Sequence, residues 1–275
     1  MRKLWILASI LVLSLIIVGG CSKKDETQNT ATQGEDTSLE DIKAKGKLVL
    51  GLDDSFPPMG FQDDNQEIVG FDIDVAREVC KRMGIELVLQ PISWDAKEVE
   101  LSTKNIDCIW NGMTYNEERA KAMNLSIPYM ENTQVSVVLA DSTVNTLEDL
   151  AGKTVVIQNG STASDAMDSN KDFKDSLKEL VKVDNNVQAL LDLKTSGSDS
   201  VVMDEVVARY YTEKEAGTYR VLDQSLADEE YVIGFRKGEV SLCTEVEKYL
   251  KEMKEDGTLA SISQTWFGKD LTTIK

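Results

Sequence analysis

Residues 105–120 read NIDCIWNGMTYNEERA, and this stretch predicts a strand, a turn and a helix in succession. Ile106 to Trp110 is a short apolar run that favours a strand, and Asn111-Gly112 is a strong turn dipeptide. Thr114 with Glu117 three residues later has the spacing of a capping box, so we expect a helix whose N-cap is Thr114. A helix that begins where a strand ends directs unpaired backbone N–H groups into a crevice, where an anion is stabilised.

Arg119 lies five residues beyond the predicted cap, close to the same opening. Its planar guanidinium can bind a carboxylate through two parallel hydrogen bonds. The alternative is a capped surface helix in which Arg119 pairs with Glu117 or Glu118. The stretch alone does not separate an anion site from this second interpretation.

The first twenty residues have the pattern of an export signal rather than of a folded element. Arg2 and Lys3 precede an apolar run from Leu4 to Val18, and Gly19-Gly20-Cys21 follows. A Cys after small residues resembles a bacterial lipobox, although Val18 stands where Leu is commonest. We expect residues 1–20 to be a signal peptide and Cys21 to carry a lipid such as palmitate. The alternative, an uncleaved N-terminal anchor, also leaves residue 22 onward outside the cytoplasm.

A polar tether follows the predicted lipid site. Ser22 to Ser38 contains no large apolar side chain, so it cannot bury enough surface to offset its ordering entropy. We assign residues 21–45 to the lipidated Cys and a flexible tether. The chain beyond residue 45 is long enough for one large domain or two lobes.

The charge and the residue types exclude several classes of function. The chain has a net charge of −18, which argues against a nucleic acid as partner and against docking of the body on anionic lipid. It contains no histidine and no Cys-x-x-Cys pair, so the pattern predicts neither a metal site nor a redox dithiol, and we expect no cofactor. We expect buried free thiols at Cys80, Cys108 and Cys243.

The first part of the body alternates strands and helices. Lys47 to Leu52 predicts a strand, and the prolines that follow place Asp53 and Phe56 on a loop just beyond its end. Trp94 follows a second predicted strand, Glu86 to Gln90, in the same way. This alternation predicts a mostly parallel sheet, and ligands of such sheets bind beyond the carboxyl ends of the strands.

A second set of alternating elements begins near residue 135. It contains a strand that breaks at Gln158-Asn159-Gly160, followed by a hydroxyl residue, Ser161 or Thr162, as the cap of a helix. Asp204 ends a later predicted strand. It is either the N-cap of the next helix or a functional acid, because its place at a strand exit matches that of Asp53.

Taken together, the motifs resemble the extracytoplasmic solute-binding proteins of polar amino-acid ABC importers. The similarity covers residues 46–270 and rests on Val69–Asp74, Ile106–Thr114 with Arg119, Gly160–Thr162, Asp204, Phe235–Gly238, Asp256–Ala260 and Trp266–Lys269. The resemblance implies an α/β, periplasmic-binding-protein-like fold in which two crossover strands join two lobes around a cleft. Lobe one would comprise residues 46–133 and 234–275, and lobe two residues 134–233.

The resemblance also implies a role for each matching residue. Arg119 would bind the α-carboxylate of the ligand, and Asp204 would accept hydrogen bonds from its α-ammonium. The backbone of Gly112, the amide and hydroxyl of Thr114 and the amide of Thr162 would supply further contacts, with Ser161 as an additional candidate. The rings of Phe56 and Trp94 would flank the side chain of the ligand, and Asp53 would bind its polar end.

The sequence departs from the family at residues 97–100, which read KEVE where an apolar run is common. Glu100 shares a predicted helical stripe with Ala96 and Val99, so we expect it to face the cleft. The alternative is that Glu98 and Glu100 are solvated acids on the surface of the helix. Together with Asp53 it would make the side-chain end of the pocket acidic. This favours a cationic or amide-bearing ligand, or cystine.

The resemblance implies a monomer that delivers its ligand to an ABC permease with an ATPase subunit and attaches to the membrane through the lipid on Cys21. A sensor lipoprotein would use the same cleft. A dehydratase-like lyase on the same fold would need a placed acid or base, and with no histidine in the chain this duty would fall on Glu100 or Asp53.

Overall fold

The computed structural model describes residues 36–275; the predicted signal peptide, Cys21 and the first part of the predicted tether lie outside this range. The strands are β1 (Lys47–Leu52), β2 (Ser55–Phe56), β3 (Gly60–Gln62), β4 (Ile68–Val69), β5 (Glu86–Pro91), β6 (Cys108–Thr114), β7 (Met123–Leu125), β8 (Met130–Leu139), β9 (Thr154–Gln158), β10 (Glu179–Val183), β11 (Ser200–Asp204) and β12 (Tyr219–Arg236). The helices are α1 (Ser38–Lys45), α2 (Phe71–Met83), α3 (Lys97–Ser102), α4 (Glu117–Ala122), α5 (Ala163–Ser169), α6 (Lys171–Ser176), α7 (Asn186–Lys194), α8 (Glu205–Lys214), α9 (Val240–Glu255) and α10 (Thr258–Phe267), with short 3-10 turns at Trp94–Ala96 and Glu148–Leu150.

The main sheet has two parallel halves on either side of a central antiparallel pair. Its order is β10-β9-β11-β8-β12-β6-β1-β5, with β7 paired to β12. Strand β1 is parallel to β5 and β6, and β9 is parallel to β10 and β11. Strands β8 and β12 pair antiparallel over most of their length. The α/β fold with two crossover strands is therefore confirmed.

This topology brings the predicted site residues to one place. The carboxyl ends of β1 and β6 lie at one edge of their half of the sheet, because the two strands are parallel. Asp53 follows β1, and Thr114 ends β6. In the other half, β9 and β11 are also parallel, and they end at Gln158 and Asp204.

The expected break at Asn111-Gly112 is wrong. Strand β6 continues to Thr114 with every residue buried, and it forms a bulge there: three residues, Trp110 to Gly112, lie opposite Ile233 alone. Gly112 has a φ of +58°, a conformation that favours glycine, so the dipeptide bends the strand without ending it.

The predicted cap at Thr114 is also wrong. Helix α4 begins at Glu117, and Asn116 is its N-cap: the Asn116 side chain accepts the N–H of Arg119. Thr114 cannot cap this helix because it is still part of β6, which pairs with Tyr231 of β12. A capping signal in the sequence was therefore assigned two residues too early.

The ordered body begins before residue 46. Helix α1 covers Ser38–Lys45, residues that we assigned to the tether, and it buries Ile42. The Ser38 hydroxyl lies 3.0 Å from that of Ser241 at the start of α9, and Asp36 accepts N–H groups of both serines. One apolar side chain and these hydrogen bonds attach the segment to the body beside α9.

The three cysteines of the body, Cys80, Cys108 and Cys243, are free and buried, as expected. Within residues 36–275 no helix combines the length and the apolar character that a membrane span requires.

Candidate ligand-binding cleft

Arg119 lies in the first turn of α4 with its side chain directed at the cleft. It is 5% exposed, and its guanidinium donates to the Thr114 carbonyl (2.6 Å) and to the Gly160 carbonyl of lobe two (3.3 Å). Burial lowers the pKa of Arg119, but a guanidinium stays charged in proteins. The Glu117 Oε2 lies 3.9 Å from Lys121 Nζ, so Glu117 pairs with Lys121 and not, as in the alternative interpretation, with Arg119.

Asp204 is the opposing acid, at the carboxyl end of β11. It occupies the N-cap position of α8, but its side chain makes no capping hydrogen bond. Its carboxylate accepts from the Tyr231 hydroxyl (2.6 Å), Gln134 Nε2 (2.8 Å) and Asn132 Nδ2 (3.0 Å). Burial, and then the nearby charge of Glu229, raise the pKa of Asp204 to about 7. The capping role is therefore excluded, and the acid belongs to a polar network between the lobes.

The two predicted aromatic residues, Phe56 and Trp94, are buried at the strand exits of lobe one, 6% and 7% exposed. Phe56 lies against the Gly112 bulge: a Cβ at Gly112 would come within 2.8 Å of its ring. Residue 112 of the bulge therefore has to be a glycine for the Phe56 ring to occupy this place.

Asp53 is also buried, and its side chain spans the cleft. One carboxylate oxygen accepts the Ser55 N–H (2.9 Å), and the other accepts Gln158 Nε2 of lobe two (2.7 Å). Burial raises the pKa of Asp53, against these hydrogen bonds.

Lys97 is a cleft residue that the sequence pattern did not single out. It is 4% exposed, and its ammonium lies 5.0 Å from the centre of the Trp94 ring. It donates to the carbonyls of Trp94 (3.1 Å) and Gly160 (2.9 Å). Burial, and then the charge of Arg119, lower the pKa of Lys97 to about 8. Lys97 follows Trp94 by three residues in one short helical segment, and from this spacing its place beside the ring could have been predicted.

Glu100 does not join this group, which corrects the expectation that it faces the cleft. Its carboxylate accepts from the Asn105 side chain (2.8 Å), before β6 begins, whereas the site lies at the other end of that strand. Val99, the apolar residue on the same predicted stripe, is 61% exposed. The helix is rotated relative to our expectation, and its buried residues are Lys97 and Leu101.

The remaining candidates lie in the cleft with some of their groups already engaged. The Thr114 hydroxyl donates to Glu229 (2.9 Å), and the Ser161 hydroxyl donates to the Gln158 carbonyl (2.8 Å). Thr162 is the N-cap of α5 and is buried, but its hydroxyl makes no capping hydrogen bond.

Asp72 is a second residue that the prediction missed, and it holds the Gly112 bulge. It is fully buried, and its Oδ2 accepts the Gly112 N–H (2.7 Å) and the Tyr129 hydroxyl (2.9 Å). Burial raises the pKa of Asp72 to about 7. The Gly112 N–H is therefore already bound, which leaves its carbonyl for other contacts.

The loop between β9 and α5 closes the cleft. Gln158 binds Asp53, the Gly160 carbonyl binds Lys97 and Arg119, and the Asp165 carboxylate accepts from the Asn116 side chain (2.8 Å). Each of these contacts joins the half of the fold that contains β9 to the half that contains β1, β5 and β6. The structure is thus a closed form, with the predicted cation and acid both inside it.

Comparison with known proteins shows what the chain is similar to. The profile of the bacterial extracellular solute-binding proteins, family 3, matches residues 48–269. The L-cystine-binding protein TcyJ of Escherichia coli (strain K12) is 30% identical over 263 residues, 95% of each chain.

Two solved structures extend the comparison. An ABC uptake transporter substrate binding protein from Streptococcus pneumoniae with bound histidine has a TM-score of 0.84 at 35% identity, over 86% of this chain and 98% of that one. The ancestral amino acid-binding protein AncCDT-1, a precursor of cyclohexadienyl dehydratase, has a TM-score of 0.77 at 31% identity, over 84% and 99%. The family profile matches well over half of this chain, so the chain belongs to the bacterial extracellular solute-binding proteins of family 3.

Proposed function

We propose that the chain binds a polar α-amino acid in the closed cleft, outside the cell membrane, and delivers it to the permease of an ABC importer. The observation that carries this proposal is the state of Arg119. The side chain is 95% buried, and within residues 36–275 no carboxylate lies within ion-pair distance of it. Burying a charge without a counter-ion is costly, so the α-carboxylate of a ligand is the natural partner.

Asp204 supplies the complementary charge for the same ligand. It comes from lobe two, whereas Arg119 comes from lobe one, and both side chains are buried when the lobes meet. A zwitterion satisfies both groups only in the closed form. Ligand binding therefore shifts the population from open to closed, which is the signal that a permease can recognise.

The side-chain end of the pocket combines an acid with a cation. Asp53 lies at one strand exit, and Lys97 lies beside Trp94 at the next. Because Glu100 lies outside the cleft, the side-chain end of the pocket is less acidic than we expected from the sequence. Of the cationic, amide-bearing and cystine-like ligands, we propose the last two classes, because an amide or a second amino-acid head group can both donate and accept here.

Calorimetric titration of the mature chain with glutamine, cystine, histidine, arginine, lysine and glutamate tests binding and ranks these classes. Arg119→Ala should weaken the tightest ligand by about 2–5 kcal/mol, at least ~30-fold, because it removes a buried charge pair. Arg77→Ala is the matched control: Arg77 is half exposed and pairs with Asp74 on α2, so its loss should leave the affinity unchanged. Equal affinity of the wild type and Arg119→Ala would contradict the proposed carboxylate site.

Delivery and anchoring need separate experiments. Uptake of the bound amino acid by whole cells should fall in Arg119→Ala at equal surface amounts, whereas a sensor would change a signalling output and leave uptake intact.

Mass spectrometry of the N-terminal peptide should find a lipid such as palmitate on Cys21, and Cys21→Ala should release the chain from the membrane. We propose that the chain acts as a monomer, which sedimentation tests.

The same residues support binding over catalysis. A lyase would need an acid or base placed at the ligand. Glu100 lies outside the cleft, and the Asp53 carboxylate already accepts from Ser55 and Gln158. The third acid, Asp204, is assigned to the ligand ammonium, and its carboxylate is held by three side-chain donors of the network between the lobes. An NMR time course with prephenate or the bound amino acid tests this, since any turnover would favour the enzyme.

A further inference from the structure

Glu229 lies in the second crossover strand, β12, and its carboxylate points into the polar network between the lobes. Its Oε2 accepts from the Thr114 hydroxyl (2.9 Å), Asn132 Nδ2 (2.9 Å) and Gln134 Nε2 (3.0 Å). None of the roles carried over from the family motifs falls on this residue. A carboxylate with three side-chain donors from two other strands is a built feature of the cleft.

The same two amides bind both Glu229 and Asp204. Asn132 Nδ2 lies 3.0 Å from Asp204, and Gln134 Nε2 lies 2.8 Å from it. The sheet register explains this arrangement: in β8, Asn132 is opposite Glu229, and Gln134 is opposite Asp204. The two amide residues are two apart on one strand and therefore share a face. Two carboxylates are thus held side by side by shared N–H donors.

Acceptors outnumber donors in this network. The side-chain oxygens of Asn132 and Gln134 have no hydrogen-bond partner within residues 36–275, although the residues are 6% and 0% exposed. A buried acceptor without a donor is costly, and two adjacent carboxylates repel each other. The charge of Glu229 contributes, after burial, to the raised pKa of Asp204. A compact cation with several N–H groups would relieve both costs.

The network also borders an open, acidic cavity. A cavity of about 530 Å³ is lined by Asn132 and Glu229, and the carboxylates of Glu131, Asp228 and Glu230 lie around it. A cation can therefore approach Glu229 along a path of favourable potential.

We propose that Glu229 and Asp204 together form a two-carboxylate subsite for the primary ammonium group of the ligand. This inference rests on the proposed function. The three N–H groups of an ammonium match Asp204, Glu229 and one amide oxygen. The subsite therefore selects a primary amine against a ligand that lacks the amino group, and Glu229 becomes a specificity-determining residue.

The test compares ligands with and without the amino group. Calorimetry is run with L-glutamine against 4-carbamoylbutanoate and with L-arginine against 5-guanidinopentanoate, for the wild type and Glu229→Gln. The variant should bind the amino acid about 10- to 100-fold more weakly, because a hydrogen bond to a charged group is lost. Its affinity for the des-amino analogue should be unchanged. Asp223→Asn, an exposed residue earlier on the same strand, is the control and should bind both ligands like the wild type.

The outcomes separate this inference from the proposed function. If the wild type binds an amino acid and Glu229→Gln binds it equally well, or loses both ligands in the same proportion, the ammonium subsite is refuted and the binding function stands. If the wild type binds none of the amino acids, both fail. Glu229→Asp keeps the charge but shortens the side chain, so it should fall between the wild type and Glu229→Gln; it also provides the test if the Gln variant does not fold.

Discussion

Replacing Gly160 by Ala should weaken ligand binding through the closed form alone. Gly160 lies in the loop that closes the cleft and has a φ of +70°. A Cβ there would lie 3.0 Å from the Asp95 Cα and 3.1 Å from its Oδ1, across the cleft in lobe one. The Cα is backbone, so it cannot move aside as a flexible side chain would.

The substitution has two energetic costs: one is shared by the open and the closed form, and the other exists in the closed form alone. An Ala at positive φ costs about 1–2 kcal/mol in the open and the closed form alike, which lowers stability. The overlap with Asp95 exists only when the lobes meet, and a forced contact of this kind costs about 1–3 kcal/mol. The affinity should therefore fall by about 5- to 150-fold. The Gly160 carbonyl, which accepts from Lys97 and Arg119, is retained in the variant.

Gly152→Ala is the matched control. Gly152 has a φ of +73°, and a Cβ there would have nothing within 4 Å. Thermal unfolding should show a similar stability loss in both variants, whereas calorimetry and stopped-flow dissociation should show weaker binding and faster release in Gly160→Ala alone. Equal affinity losses in the two variants, or none in Gly160→Ala, would refute the argument that this loop closes against Asp95.

Two further predictions follow from buried ionisable groups. The pKa of Lys97 is lowered to about 8 from 10.5, so its cost to stability is fully present below pH 8 and is relieved as the pH rises towards 10.5. Denaturant unfolding should show a rise of up to about 3 kcal/mol over this window in the wild type that Lys97→Met lacks. The pKa of Asp204 is raised to about 7 by burial and by Glu229, against the opposing effect of Arg119, so its proton must leave before an ammonium binds. Amino-acid affinity should then fall by up to about tenfold per unit as the pH drops below 7, and a constant affinity between pH 5 and 8 would contradict this.

Local sequence patterns were sufficient for the fold class and for much of the cleft. The alternation of apolar strands and striped helices predicted the parallel halves of the sheet. Parallel strands end at a common edge, so the residues that follow them had to lie together. Arg119, Asp204, Asp53 and Phe56 were identified from such strand exits and from the family motifs.

Errors arose where a long-range contact overrides a local signal. Asn111-Gly112 has a strong turn preference, but Asp72 binds the Gly112 N–H, and pairing with β12 continues the strand through a bulge. The stripe that placed Glu100 in the cleft assumed a helix phase that the structure does not have, because Lys97 is buried there instead.

Local patterns and the family motifs therefore account for the order of the elements and for Arg119 and Asp204 as opposing charges. Which other charges enter the cleft depends on long-range packing, which no local pattern encodes. In the sequence, Glu229 stands in the acidic run Asp228-Glu229-Glu230, where nothing distinguishes it from a solvated side chain. The register between two crossover strands, a contact across nearly one hundred residues, places it opposite Asn132 and beside Asp204.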